Sequence, residues 1–115
     1  MEFVITEYKH CDLMEISGRV DSYTSPKIKD ALNALLDDGH CKIVLDLESV
    51  TYLSSSGMLT FINALKQCQQ SDRGKIVLAN VPSIIFTSLE LAGFHRLFEI
   101  FDDVVTAVGN FEVRR

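Results

Sequence analysis

The chain has 115 residues, of which 47% are hydrophobic, and a net charge of −5. That length and that apolar share fit one domain, residues 1–115, with a substantial core, and only two Pro and six Gly exclude a low-complexity or disordered chain. The acidic balance disfavours nucleic acid as the main partner, because phosphate binding needs Lys and Arg clustered on one face.

Phe3 to Tyr8 alternates loosely and predicts a strand. The short segment Lys9-His10-Cys11-Asp12 suits a hairpin turn, and Leu13 to Ser17 predicts the returning strand, left through Gly18-Arg19-Val20-Asp21. Thr24-Ser25-Pro26 is a helix start, with a hydroxyl cap and a Pro in the first turn, where its missing N–H costs nothing. Ile28, Ala31, Leu32, Leu35 and Leu36 recur at helical spacing, and Gly39 closes that helix.

Cys41 to Leu47 is nearly continuous in apolar residues, as expected of a central strand covered on both faces. A second helix is predicted from near Gly57, with Met58, Phe61, Ile62, Leu65 and Cys68 on one stripe. Lys75 to Ala79 predicts a strand. Pro82 opens a third helix with Ile84, Ile85, Ser88, Leu89 and Ala92 on its inner face, closed by Gly93. Phe98 to Phe101 predicts the last strand, and Asp102-Asp103 starts a short fourth helix, where the dipole favours acid. The tail 109–115 is expected to be loosely held. The order β-β-α-β-α-β-α-β-α implies an α/β fold. Its first two strands pair antiparallel, and the later ones run mainly parallel through right-handed crossovers.

Cys11, Cys41 and Cys68 are odd in number and widely spaced, with no C-x-x-C pair, so neither zinc nor dithiol redox chemistry is indicated. His10, His40 and His95 have no ligand-like spacing, and His95 is expected at the surface. The N-terminus lacks a signal-peptide pattern, and no apolar run reaches transmembrane length, so the expected location is the cytoplasm, with no membrane insertion. There is no Gly-rich phosphate loop and no local nucleophile–base set. Asp46 invites comparison with the phospho-accepting Asp of a receiver domain. The acidic cluster and late Lys that hold magnesium and phosphoryl group in a receiver are missing, which leaves Asp46 as a structural residue near a strand end.

The most informative stretch is Tyr52-Leu53-Ser54-Ser55-Ser56-Gly57-Met58, at a strand-to-helix junction. A Ser there can cap free backbone N–H groups. A phosphate on such a Ser would meet the positive end of the helix dipole. Asp21, Ser22 and Tyr23 follow the second strand. Asp21 is either a turn residue bonded to its own backbone or part of a binding surface, and Tyr23 is either an interface aromatic or a lid on the core.

The order and spacing of several short pieces resemble the STAS domain family, and within it the small bacterial anti-sigma factor antagonists. These pieces are Gly18-Arg19-Val20-Asp21, Ile43-Val44-Leu45-Asp46-Leu47, Ser54-Ser55-Ser56-Gly57-Met58, Val77-Leu78-Ala79-Asn80, and Leu91-Ala92-Gly93-Phe94 before Leu97-Phe98. In that family the junction usually reads Asp-Ser-Ser/Thr-Gly. The first Ser is phosphorylated by a partner that is both serine kinase and anti-sigma factor, and a separate serine phosphatase resets it. The resemblance implies Ser55 as the phosphorylation site. It implies a partner surface of Asp21, Ser22, Tyr23, Ser54, Ser56, Gly57 and Met58, with no catalytic residue, metal or cofactor of the chain's own. Ser54 stands where the family usually has Asp. Two other readings stay open: a constitutive scaffold subunit of a signalling assembly or lipid-transport ATPase complex, and a small-ligand or nucleotide-binding domain, against which the missing Gly-rich loop counts.

Overall fold

The computed structural model describes residues 1–112; Val113, Arg114 and Arg115 lie outside it. Nine elements follow the predicted order: β1 (Glu2–Glu7), β2 (Asp12–Val20), α1 (Ser25–Asp37), β3 (Lys42–Leu53), α2 (Ser55–Gln69), β4 (Lys75–Ala79), α3 (Ser83–Leu91), β5 (Glu99–Phe101) and α4 (Val104–Gly109). They build one five-stranded sheet in the order β1-β2-β3-β4-β5. β1 and β2 are antiparallel, and every later pair is parallel. Among the described residues no helix is long and apolar enough to cross a membrane.

The topology decides where the helices go. Each βαβ step moves one strand further in the same direction, and right-handed crossovers then place α1, α2 and α3 on one face of the sheet. The main core forms there. Met14, Ile16, Ile43, Leu45, Leu47, Ile76 and Leu78 from the strands meet Ile28 and Leu32 of α1, Met58, Phe61 and Leu65 of α2, and Ile85 and Leu89 of α3. α4 folds back over the other face and seals a smaller cluster with Leu13, Val44, Val77, Ala79, Ala107 and Phe111. Val44 and Val77 are thereby covered on one face and Leu45 and Leu78 on the other, which is why both strands read as continuous apolar runs.

Several expected boundaries shift. β2 continues to Val20, through register irregularities near Ser17 and Gly18. β3 continues well past Leu47, because Ser49 to Leu53 pair with β2 alone beyond the end of β4. Asp46 therefore sits within a strand, not at its end. It is buried, and its carboxylate accepts the Glu48 N–H at 3.0 Å and the Asn80 amide at 3.3 Å, an arrangement that gives it a structural role. α2 starts at Ser55, two residues before Gly57.

The inner face of α3 is narrower than predicted: Ile84 and Ala92 are exposed. Cys11 and Asp12 were assigned to a polar turn and are buried. His95 is not a surface residue. It is half-buried, edge-on to Phe86 with ring centroids 5.8 Å apart, and its Nδ1 is enclosed without a partner among the described residues. The start of the expected loose tail is pinned, since Phe111 is buried and Lys75 Nζ donates to Asn110 Oδ1 at 2.9 Å; its last three residues fall outside the described range. Gly39 closes α1 with φ +83°, the left-handed position predicted for it.

Candidate functional site

The seryl run lies where the chain leaves the C-terminal end of β3 and enters α2. Its three hydroxyls have different tasks. Ser54 is the N-cap: its backbone is extended and its Oγ accepts the Gly57 N–H at 3.2 Å. Its carbonyl accepts the Met58 N–H at 2.9 Å, the first turn of the helix. Ser55 and Ser56 are the first two helical residues, and both are exposed. The Ser56 carbonyl accepts from Thr60 Oγ1 at 3.1 Å. The capping role falls on the position where the resemblance leads one to expect Asp. Ser and Asp are about equally good N-caps, so the exchange keeps the helix start and removes only a charge.

Gly57 and Met58, expected on the partner surface, face inward and are corrected to supporting roles. Both are buried. A Cβ on Gly57 would stand 2.7 Å from Val20 Cγ1 and 2.8 Å from Leu53 Cδ1. Only glycine lets the first turn of α2 lie this close to the ends of β2 and β3. The Ser54 N–H donates to the Val20 carbonyl at 2.8 Å and locks the same junction. This close approach sets the β2–α1 loop beside the start of α2.

The loop is itself ordered by Asp21. Its Oδ1 accepts the N–H groups of Tyr23 and Thr24, both at 3.0 Å, and the Thr24 hydroxyl is 3.2 Å away. Thr24 Oγ1 donates to the Arg19 carbonyl at 2.9 Å and accepts the Asp21 N–H at 3.0 Å. Asp21 thus orders the turn through its own backbone, while its carboxylate stays partly exposed beside the start of α2. Ser22 is exposed, and Tyr23 is 92% exposed, so it is no lid on the core. Arg19 lies over the Tyr52 ring, 4.3 Å from its centroid, with its Nε 3.7 Å from Asp21 Oδ2.

The Thr24 N–H first, then that of Tyr23, the Thr24 hydroxyl and the Arg19 charge, hold the Asp21 carboxyl below its ordinary value. The depressed value means that this carboxylate contributes stability in full above the unfolded value and loses it as pH falls through the lower folded one. Asp21→Asn should therefore cost stability at neutral pH, and the gap to the parent should close in acid below the ordinary Asp range. Denaturant midpoints of the two proteins across that window test this; a gap that does not change with pH would show that Asp21 holds the loop by shape alone.

The exposed surface extends past the predicted residues. A groove of about 560 Å³ runs between α1 and α2, lined by Lys29, Leu32 and Asn33 on one side and Ser56, Leu59 and Asn63 on the other. Leu59 is 49% exposed at its edge. An apolar residue standing off the buried Met58–Phe61–Ile62 stripe is the sequence signal that finds it. Two of the thiols offer little nucleophilic chemistry: burial first, then Cys41, pushes Cys68 up to about 12, and burial first, then the Asp12 charge, raises Cys11.

A family model for the STAS domain matches residues 2–107. A protein described as an anti-sigma-B factor antagonist from Listeria monocytogenes is 31% identical over 91 residues, covering 79% of this chain and 78% of that protein. An anti-sigma factor antagonist from Mycobacterium paratuberculosis has the same fold, with a TM-score of 0.85 at 17% identity, over 96% of this chain and 92% of that one. The Bacillus cell fate determinant SpoIIAA in its phosphorylated form superposes with a TM-score of 0.77 at 13% identity, over 96% of this chain and 100% of that one.

Proposed function

This chain belongs to the STAS domain family, and we propose that it is an anti-sigma factor antagonist, a cytoplasmic protein-binding module with no catalysis of its own. In the unphosphorylated state it sequesters an anti-sigma factor that is also a serine kinase, and so frees a sigma factor. Phosphorylation at Ser55 breaks that complex, and a serine phosphatase restores it. The observation that carries this reading is the division of tasks at the start of α2. Ser54 already caps the helix, which leaves the Ser55 hydroxyl exposed and without a structural duty there. The names of the relatives support the partner class.

The geometry explains how one phosphate would act. The group adds nearly two negative charges, and the helix N-terminus accommodates them locally. The domain therefore stays folded. A partner surface fitted to a neutral hydroxyl meets a bulky dianion instead. The kinase supplies ATP and magnesium. A constitutive scaffold is the second reading, favoured by the missing carboxylate at position 54.

Incubation with the cognate kinase and ATP should add one phosphate, at Ser55. Peptide mapping checks this. Phosphate confined to Ser54 or Ser56 would move the site, and no phosphate with an active cognate kinase would remove the switch.

A further inference from the structure

A second polar centre lies at the opposite pole of the molecule, where β1 ends and β2 and β3 begin. Glu7 closes β1, Asp12 opens β2, and His40 precedes β3. One ligand atom from each lies within 4.8 Å of the others. His40 Nδ1 stands 2.8 Å from Asp12 Oδ2. Sequence spacing concealed this set, because 28 residues separate Asp12 from His40.

We propose that Glu7, Asp12 and His40 bind one divalent transition-metal ion of the zinc type. Two carboxylates and an imidazole are a donor set that zinc, cobalt and nickel accept, whereas magnesium and calcium favour oxygen donors alone. Asp12 is paired with His40, and Lys9 and Lys42 line the same cleft, so the ion would displace an existing ion pair. Glu7 and Asp12 are directly opposite in the antiparallel register, where like charges repel. The Asp12 side chain is only 6% exposed, so an ion held there would be screened little by water.

The frame is fixed before any ion arrives. Asp12 is held in register between Glu7 and Ile43, and the His40 N–H donates to the Leu35 carbonyl at 2.9 Å. Glu7 is exposed, and its flexible side chain closes the set. The centre opens into a cleft of about 420 Å³ lined also by Tyr8, Lys9 and Ser71, which leaves room for water on the remaining metal positions. The ion would tie the β1–β2 hairpin to the α1–β3 connection. Ser55 lies at the other end of the strands, so this site is independent of the proposed switch.

The test is calorimetric titration of chelator-treated full-length protein with zinc chloride, and with cobalt chloride followed by absorbance. One equivalent of zinc should bind and raise the melting temperature. Glu7→Gln, at an exposed strand end, should stay folded and weaken binding at least about tenfold, and His40→Gln should weaken it further. Cys41→Ser, near the same cleft, should bind as the parent does, and the cobalt protein should lack a thiolate charge-transfer band. Three results would overturn the site: no zinc heat, unchanged affinity in both ligand variants, or a cobalt–thiolate band lost in Cys41→Ser.

Discussion

Ser55→Asp should weaken binding of the anti-sigma partner at least about tenfold, or about 1.4 kcal/mol, while Ser55→Ala binds nearly as well as the parent. Both variants lose the hydroxyl and only one adds charge, so the contrast isolates the electrostatic term. Enzymatic phosphorylation should cost more, about 2–5 kcal/mol, because the phosphate is larger and carries more charge at a contact that excludes water. The isolated domain should tolerate the Asp, since the α2 N-terminus favours an anion. Calorimetric titration against the proposed kinase partner measures all four proteins. Equal affinities for the parent, Ser55→Asp and the phosphorylated protein would leave constitutive docking as the better account.

The second large effect is on stability. Leu45 is fully buried in β3, under the helices of the main core. Leu45→Ala should cost about 2–5 kcal/mol through lost burial and the cavity left behind. A domain of this size has about 5–15 kcal/mol in total, so the loss is a large share. Ser54→Ala, which removes the observed cap, should cost about 0.5–2 kcal/mol. Ser55→Ala, exposed and not capping, should stay within about 0.5 kcal/mol. Urea melts of the three variants give the ranking. A Ser55→Ala cost equal to that of Ser54→Ala would mean that the cap is shared.

The element order was legible because each element carries its own local signal. The run Ile43-Val44-Leu45 marks a strand covered on both faces, and Thr24-Ser25-Pro26 and Asp103 mark helix starts. Asp103 caps α4 as its type suggests, with Oδ1 accepting the Thr106 N–H at 2.7 Å. Thr24 marks its helix start but makes no cap bond, because its hydroxyl is engaged by Arg19 and Asp21. The second half of β3 was hidden because Glu48, Ser49, Thr51 and Tyr52 are exposed, and their strand state comes from pairing with β2.

At the site, sequence placed the hydroxyls correctly at a helix start but did not assign the cap. Three adjacent serines are equivalent in composition and differ only in backbone geometry. Gly57 and Met58 were matched to the surface by motif, whereas the helical phase turns them inward. The pairing of Asp12 with His40 is purely tertiary, so no local pattern announces it.

The sheet's strand order has a consequence for synthesis. Because β1 to β5 are neighbours in the order in which they are translated, each strand meets its partner's edge already made. The β1–β2 hairpin needs nothing downstream, and each later βα unit docks on the strand before it. No strand must wait for one beyond its next neighbour in the chain, and the slow steps are the three parallel pairings, each of which closes a helix-bearing crossover. The chain can assemble vectorially as it leaves the ribosome, with one growing edge opposite the fixed outer edge of β1.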